Sequence, residues 1–219
     1  MVKRHERVLL VIADLSTYGR DDLTWMYRFL EWAAVAMPKL ILGLAYRRVH
    51  ALVGGRATAE TFASSLAALA ADPQTQAIDV LLHLHGDHQI LWFADRAVYL
   101  DQLQGLIAEQ LPELELRRRL RLLYSTACYG AEHAVAFANA GFRVASGAIG
   151  VNANGLWDYP VELLFWGLGM PYRTALSAGN SRLISRIHDW VARKLRFEDV
   201  NSVKTAAGDG VTRITSPAA

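Results

Sequence analysis

Six consecutive apolar residues, Val8-Leu9-Leu10-Val11-Ile12-Ala13, lie between Arg7 and Asp14 with no polar residue among them. A strand with one wet face alternates polar and apolar residues. A run without alternation belongs to a strand covered on both faces, the condition of a parallel sheet. Similar runs follow at 39–46, 78–84, 119–125 and 142–148, with a short return strand at 89–93. Between them, helical spacing or Ala/Leu-rich composition predicts helices over 24–37, 58–71, 100–110 and 131–140, and two more over 161–168 and 173–178. Pro38 is read as the stop of the first helix. Parallel strands joined by helices need crossovers, which cover both faces of the sheet. The expected fold is α/β, a three-layer sandwich with a mostly parallel central sheet, as one domain over 1–203. The Gly/Ala/Thr/Ser-rich residues 204–219 are expected to form a flexible tail.

Composition narrows the partners. The 219 residues carry a formal charge of only +2, and the one basic cluster, Arg117, Arg118, Arg119 and Arg121, reads as a solvated helix end or turn. No nucleic-acid partner is indicated. A single cysteine, Cys128, excludes an internal disulfide and a zinc site built on several cysteines, and fits a reducing, cytoplasmic setting. The start resembles a secretory signal, but its apolar run is short and Asp14 interrupts it. No window approaches the ~18 apolar residues of a membrane span, so a soluble chain without a membrane partner is expected.

In an open parallel sheet, sites form beyond the carboxyl ends of the strands. Two such ends carry reactive side chains: Leu81-Leu82-His83-Leu84-His85-Gly86-Asp87-His88, and Tyr124-Ser125-Thr126-Ala127-Cys128-Tyr129-Gly130. If these strands are neighbours, His85 and Cys128 face each other across a crevice. The imidazole then takes the thiol proton and later protonates a leaving amine, the helix after Cys128 favours thiolate, and the amides of Gly86 and Cys128 converge on an oxyanion. Without His85, the plain reading of Cys128 is a small buried hydrophobe.

This pattern resembles the caspase-like peptidases, the clan of caspases, metacaspases, separase, gingipain and CHAT domains. In them a catalytic His precedes Gly at the end of a buried strand, here His85-Gly86, and a catalytic Cys follows a small residue at the next core strand's end, here Ala127-Cys128-Tyr129-Gly130. The segments Ala140-Gly141-Phe142 and Phe165-Trp166-Gly167-Leu168-Gly169 are similar to CHAT stretches. The resemblance implies a caspase-like fold and a cysteine endopeptidase without cofactor. It also implies a protein or peptide substrate bound extended, and leaves room for an activating or regulatory protein. It departs at Thr126, where caspases have Gln and metacaspases usually Asp two residues before the nucleophile, so specificity does not carry over. Asp14, Thr126 and Asp158 remain the candidate substrate-binding residues; an acid at Asp14 would favour Arg or Lys before the scissile bond.

Two other readings compete. His83, His85, Asp87 and His88 fit H-x-H-x-D-H, the zinc signature of the metallo-β-lactamase fold. Its context differs, because Gln89-Ile90-Leu91-Trp92-Phe93 reads as a strand where that signature leads into a helix. The third reading is a non-catalytic binding protein on a caspase-like fold. His83 is expected to pack beneath the dyad, and His5, His50, His133 and His188 to be surface or partly satisfied residues.

Overall fold

A computed structural model describes residues 1–153 and 157–218. Its central sheet runs in the order β2 (Arg48–Val53), β1 (Arg7–Asp14), β3 (Ala77–Asp87), β6 (Leu120–Ser125), β7 (Val144–Ala148), β8 (Lys204–Gly208). All neighbours are parallel except β7 and β8. The end of β3 leaves this sheet and pairs with β4 (Ile90–Trp92), which pairs with β5 (Ala97–Tyr99).

Each sheet face buries its own core. On one lie α2 (Ala59–Ala71), α3 (Leu100–Gln110) and α5 (Gly130–Asn139), through Phe62, Leu66, Leu103, Ile107 and Phe137. On the other lie α1 (Thr24–Leu42), α6 (Asp158–Gly167) and α7 (Tyr172–Gly179), through Leu42, Tyr159, Leu163, Trp166 and Tyr172. This is the expected three-layer α/β sandwich, completed by short α4 (Leu114–Arg117) and by α8 (Arg182–Lys194).

Several expectations are corrected. Pro38 does not stop α1, which continues to Leu42 with Pro38 buried inside it. Proline deprives the carbonyl four residues back of its N–H partner; here the Tyr159 hydroxyl donates to the Ala34 carbonyl at 2.9 Å instead. The second strand therefore falls at Arg48–Val53 rather than 39–46. The expected tail, as far as residue 218, is tied down: β8 pairs with β7, the Val2 amide donates to the Thr215 carbonyl, and Arg143 reaches the Pro217 carbonyl. Arg121 is not solvated. It is fully buried in a bidentate pair with Asp79, at 2.9 and 2.6 Å, and also holds the Ser216 carbonyl at 3.1 Å. Arg119 donates to the Ala70 and Asp72 carbonyls at the end of α2.

One buried acid sits on the α6 side. Glu162 accepts from the Tyr172 hydroxyl, which also contacts the Ser146 hydroxyl. Burial pushes its carboxyl up to about 8, against the smaller downward pull of that hydrogen bond, so it is neutral in the fold at pH 7.

Two outcomes follow from this packing. Tyr159→Phe should cost about 1–3 kcal/mol in denaturant unfolding, the price of an unsatisfied buried carbonyl, and less in a Pro38→Ala background, where residue 38 regains an N–H. Wild type should lose stability as pH rises from 4.5 toward 8, because the unfolded chain ionises Glu162 while the folded chain keeps it protonated. Glu162→Gln removes this contribution, so its stability relative to wild type should increase across that window.

Candidate active site

His85 is positioned from three sides. The β3–β4 pairing sets it opposite Trp92. Its Nε2–H donates to the Leu15 carbonyl at 2.8 Å, and the Tyr27 ring meets it edge-on with centroids 5.2 Å apart. With the proton on Nε2, Nδ1 is the basic nitrogen. The Leu15 carbonyl is itself fixed. Glu31 Oε1 accepts from the Leu15 amide, the Ser16 amide and the Ser16 hydroxyl at 2.7–2.8 Å, anchoring the loop after β1 to α1.

Cys128 lies in the turn between β6 and α5, a strand-to-helix junction with little room. A Cβ on Gly86 would fall 2.6 Å from the Cys128 carbonyl oxygen and 2.9 Å from the Ala127 Cβ, so the residue after His85 must be glycine. One on Gly147 would fall 2.3–2.5 Å from the Gly130 backbone, which lets α5 begin directly against β7. Tyr129 between them adopts a left-handed φ of 54°, held by its amide bond to the Gly150 carbonyl and by its ring on His88.

His85 and Cys128 line one cavity of about 400 Å³, together with Thr126, Asn152, Tyr27 and His83. It opens beyond the carboxyl ends of β1, β3, β6 and β7, where such a sheet builds its sites. Burial pushes the Cys128 thiol above its ordinary range and outweighs the opposing hydrogen bond from the Asn152 backbone. The expectation that the following helix favours thiolate is thereby reversed. The thiol therefore rests neutral, and His85 Nδ1 is free of the Leu15 contact.

The other predicted residues fall in different places. Thr126 lines the cavity, its amide on the Leu82 carbonyl and its hydroxyl 3.2 Å from His83 Nδ1. Asp14 is buried behind it, accepting from the Thr17 hydroxyl at 2.9 Å, and does not line it. Asp158, at the start of α6, is buried in an ion pair with Lys204 and does not line it either. His83 packs edge-on against Tyr159; burial, assisted by Lys204, lowers its pKa to about 3, so it stays neutral. His133 is of the partly satisfied kind: buried beneath Gly86, it donates from Nε2 to the Asp87 carbonyl at 2.9 Å while its Nδ1 has no hydrogen-bond partner among the described residues.

The metal signature disperses. His88 turns outward to Glu132 at 2.7 Å and Asp87 is exposed, while His83 points to Thr126 and His85 to Leu15. Among the described residues, no three His, Cys, Asp or Glu side chains are grouped to hold a metal ion. Likewise, no helix there is long and apolar enough to cross a membrane. Sequence reasoning missed Tyr27, Glu31 and the whole of α8. Only α8 carried a signal, the apolar spacing of Leu183, Ile187, Trp190 and Val191.

The sheet order, the helical layers and the strand-end site define a caspase-like fold. Two solved structures are similar to the chain at 13% identity, over 94% of its length: caspase-1 from Spodoptera frugiperda, TM-score 0.58 over 87% of that chain, and pro-sf-caspase-1, TM-score 0.53 over 92% of that chain. At this identity the likeness is one of fold. No protein-family model and no curated protein matches the chain.

Alkylation of Cys128 by iodoacetamide, followed by intact mass against pH, should be slower at pH 7 than for a free thiol. It should accelerate only above the ordinary thiol range of about 8.5. A curve displaced to the acid side would overturn burial as the controlling influence.

Proposed function

We propose that the chain is a cysteine endopeptidase working through Cys128 and His85. One observation carries the reading: the only cysteine and a histidine with an anchored Nε2 line a single cavity at the carboxyl end of the sheet. The caspase-like fold supports it.

The thiol starts neutral, so proton transfer accompanies attack rather than preceding it. As a peptide carbonyl reaches Cys128, the thiol proton passes to His85 Nδ1 and sulfur bonds to the carbonyl carbon. The Leu15 carbonyl holds Nε2–H and stabilises the imidazolium that forms, the role a carboxylate has in triads. The amides of Gly86 and Cys128 are assigned to the oxyanion. His85 returns the proton to the amine as the C–N bond breaks. Water, deprotonated by the same imidazole, then hydrolyses the thioester and frees Cys128. None of these steps calls on a cofactor. The substrate is a protein segment bound extended, with Thr126 at the cavity wall.

The test is a proteome-derived peptide library incubated with the protein in chelator, new amino termini being read by mass spectrometry. Wild type should generate them. Cys128→Ala should generate none, and His85→Ala should be slower by on the order of 100- to 10,000-fold. Cleavage that survives in Cys128→Ala overturns the proposal. No cleavage by wild type, with Cys128 inert to alkylation, leaves a non-catalytic binding protein.

A further inference from the structure

The cavity that His85 and Cys128 share has a composition of its own. One wall is α1, through Met26, Leu30 and Ala33; the facing wall is α8 and its end, through Ile187, Val191 and Leu195. Among the described residues, no Asp, Glu, Lys or Arg lines it. The nearby charges lie outside the lining: Arg20, over Phe197 and on the Leu195 carbonyl at the rim, is paired with Asp22. Asp14 accepts from Thr17, Glu31 accepts from the Leu15 and Ser16 amides, and Lys204 pairs with Asp158. The polar groups within are neutral or committed: Thr126 faces His83, the Asn152 side chain donates to the Thr126 carbonyl, and His188 Nδ1 contacts the Ile184 carbonyl of its own helix.

We propose, resting on the peptidase reading above, that this cavity binds the side chain before the scissile bond and selects a large uncharged apolar one, of the Leu, Met or Phe kind. A carboxylate or guanidinium there would leave water with no counter-charge in the lining to meet it. An apolar side chain instead replaces water against two apolar helix faces. A cavity of about 400 Å³ has room for the largest apolar side chain and part of its neighbour. Asp14, the acid that would have favoured Arg or Lys, is behind the wall.

Ala33 and Ile187 are the specificity-determining positions. Ala33 is a buried small residue on the α1 wall, so a larger side chain there projects into the space. Ile187 lines the cavity yet is 54% exposed, so a charge there stays hydrated at the rim.

The experiment uses five acetyl-Ala-Ala-X chloromethyl ketones, with X as Leu, Phe, Ala, Asp or Arg, on the full chain, with Cys128 labelling read by intact mass and peptide mapping. Each label forms an S–C bond as chloride leaves, the thiol proton passing to His85. The Leu and Phe probes should label faster than the Asp and Arg probes by on the order of 100-fold, the scale on which an apolar pocket discriminates. Ala33→Phe should lower the Phe-to-Ala labelling ratio at least tenfold. Ile187→Glu, at a position that tolerates charge, should raise the Arg-to-Leu ratio and so tests the wall even if Ala33→Phe fails to fold. Asp or Arg labelling as fast as Leu overturns the apolar selection and leaves the peptidase reading standing. Failure of all five probes, with iodoacetamide still labelling Cys128, overturns the peptidase reading itself.

Discussion

The register of the sheet depends on one buried ion pair. Ile78 pairs with Leu120, but Asp79 pairs with Leu122, so Arg121 is an extra residue on β6. The bulge changes the parity of the strand: Leu120 and Leu123 face one core, Leu122 and Tyr124 the other. Arg121 can occupy that position inside the protein because Asp79 meets it with both oxygens, Trp166 lies under its guanidinium and the carboxy-terminal segment supplies carbonyls. Without the bulge, every later residue of β6 would present its opposite face, and Cys128 would leave the strand end one step out of register with His85. The charge at one end of the sheet thus sets the geometry at the other.

At that other end the logic is of close approach and low polarity. Gly86 brings the β3 backbone against the Cys128 carbonyl, and Gly130 with Gly147 brings α5 against β7. There burial is the largest influence on the Cys128 thiol and holds it neutral. A thiol held neutral reacts slowly with adventitious oxidants and alkylating agents.

The sequence revealed what depends on neighbouring residues. The runs of β1, β3, β6 and β7 need only their own apolar side chains to be read, and α3 falls at its expected bounds. β6 ends at Ser125 as expected, just before Cys128, whereas β3 runs on past residue 84 to Asp87 and takes His85-Gly86 into its pairing with β4. What escaped rests on partners far along the chain. α1 passes Pro38 because Tyr159, 125 residues after Ala34, supplies the missing hydrogen bond. Arg121 looked like its solvated neighbours because its partner lies on another strand. β8, with Lys204, Thr205 and a run of small residues, has no apolar pattern, and is a strand only because β7 offers it an edge. The apolar stripe of α8 was legible in principle and that of α1 was read, but that the two face each other across a cavity was not legible.

Leu15 carries two jobs that evolution and mutagenesis would see differently. Its side chain lines the cavity and is free to vary with whatever the cavity holds, while its peptide carbonyl orients His85 and persists through every substitution. Alanine scanning at position 15 therefore reports on shape and is blind to the orienting group. That group is reachable only indirectly, through Glu31, or by an imino acid at position 16, which removes an amide Glu31 holds. A side chain open to exchange can thus sit on a main-chain group that fixes its neighbour across the fold.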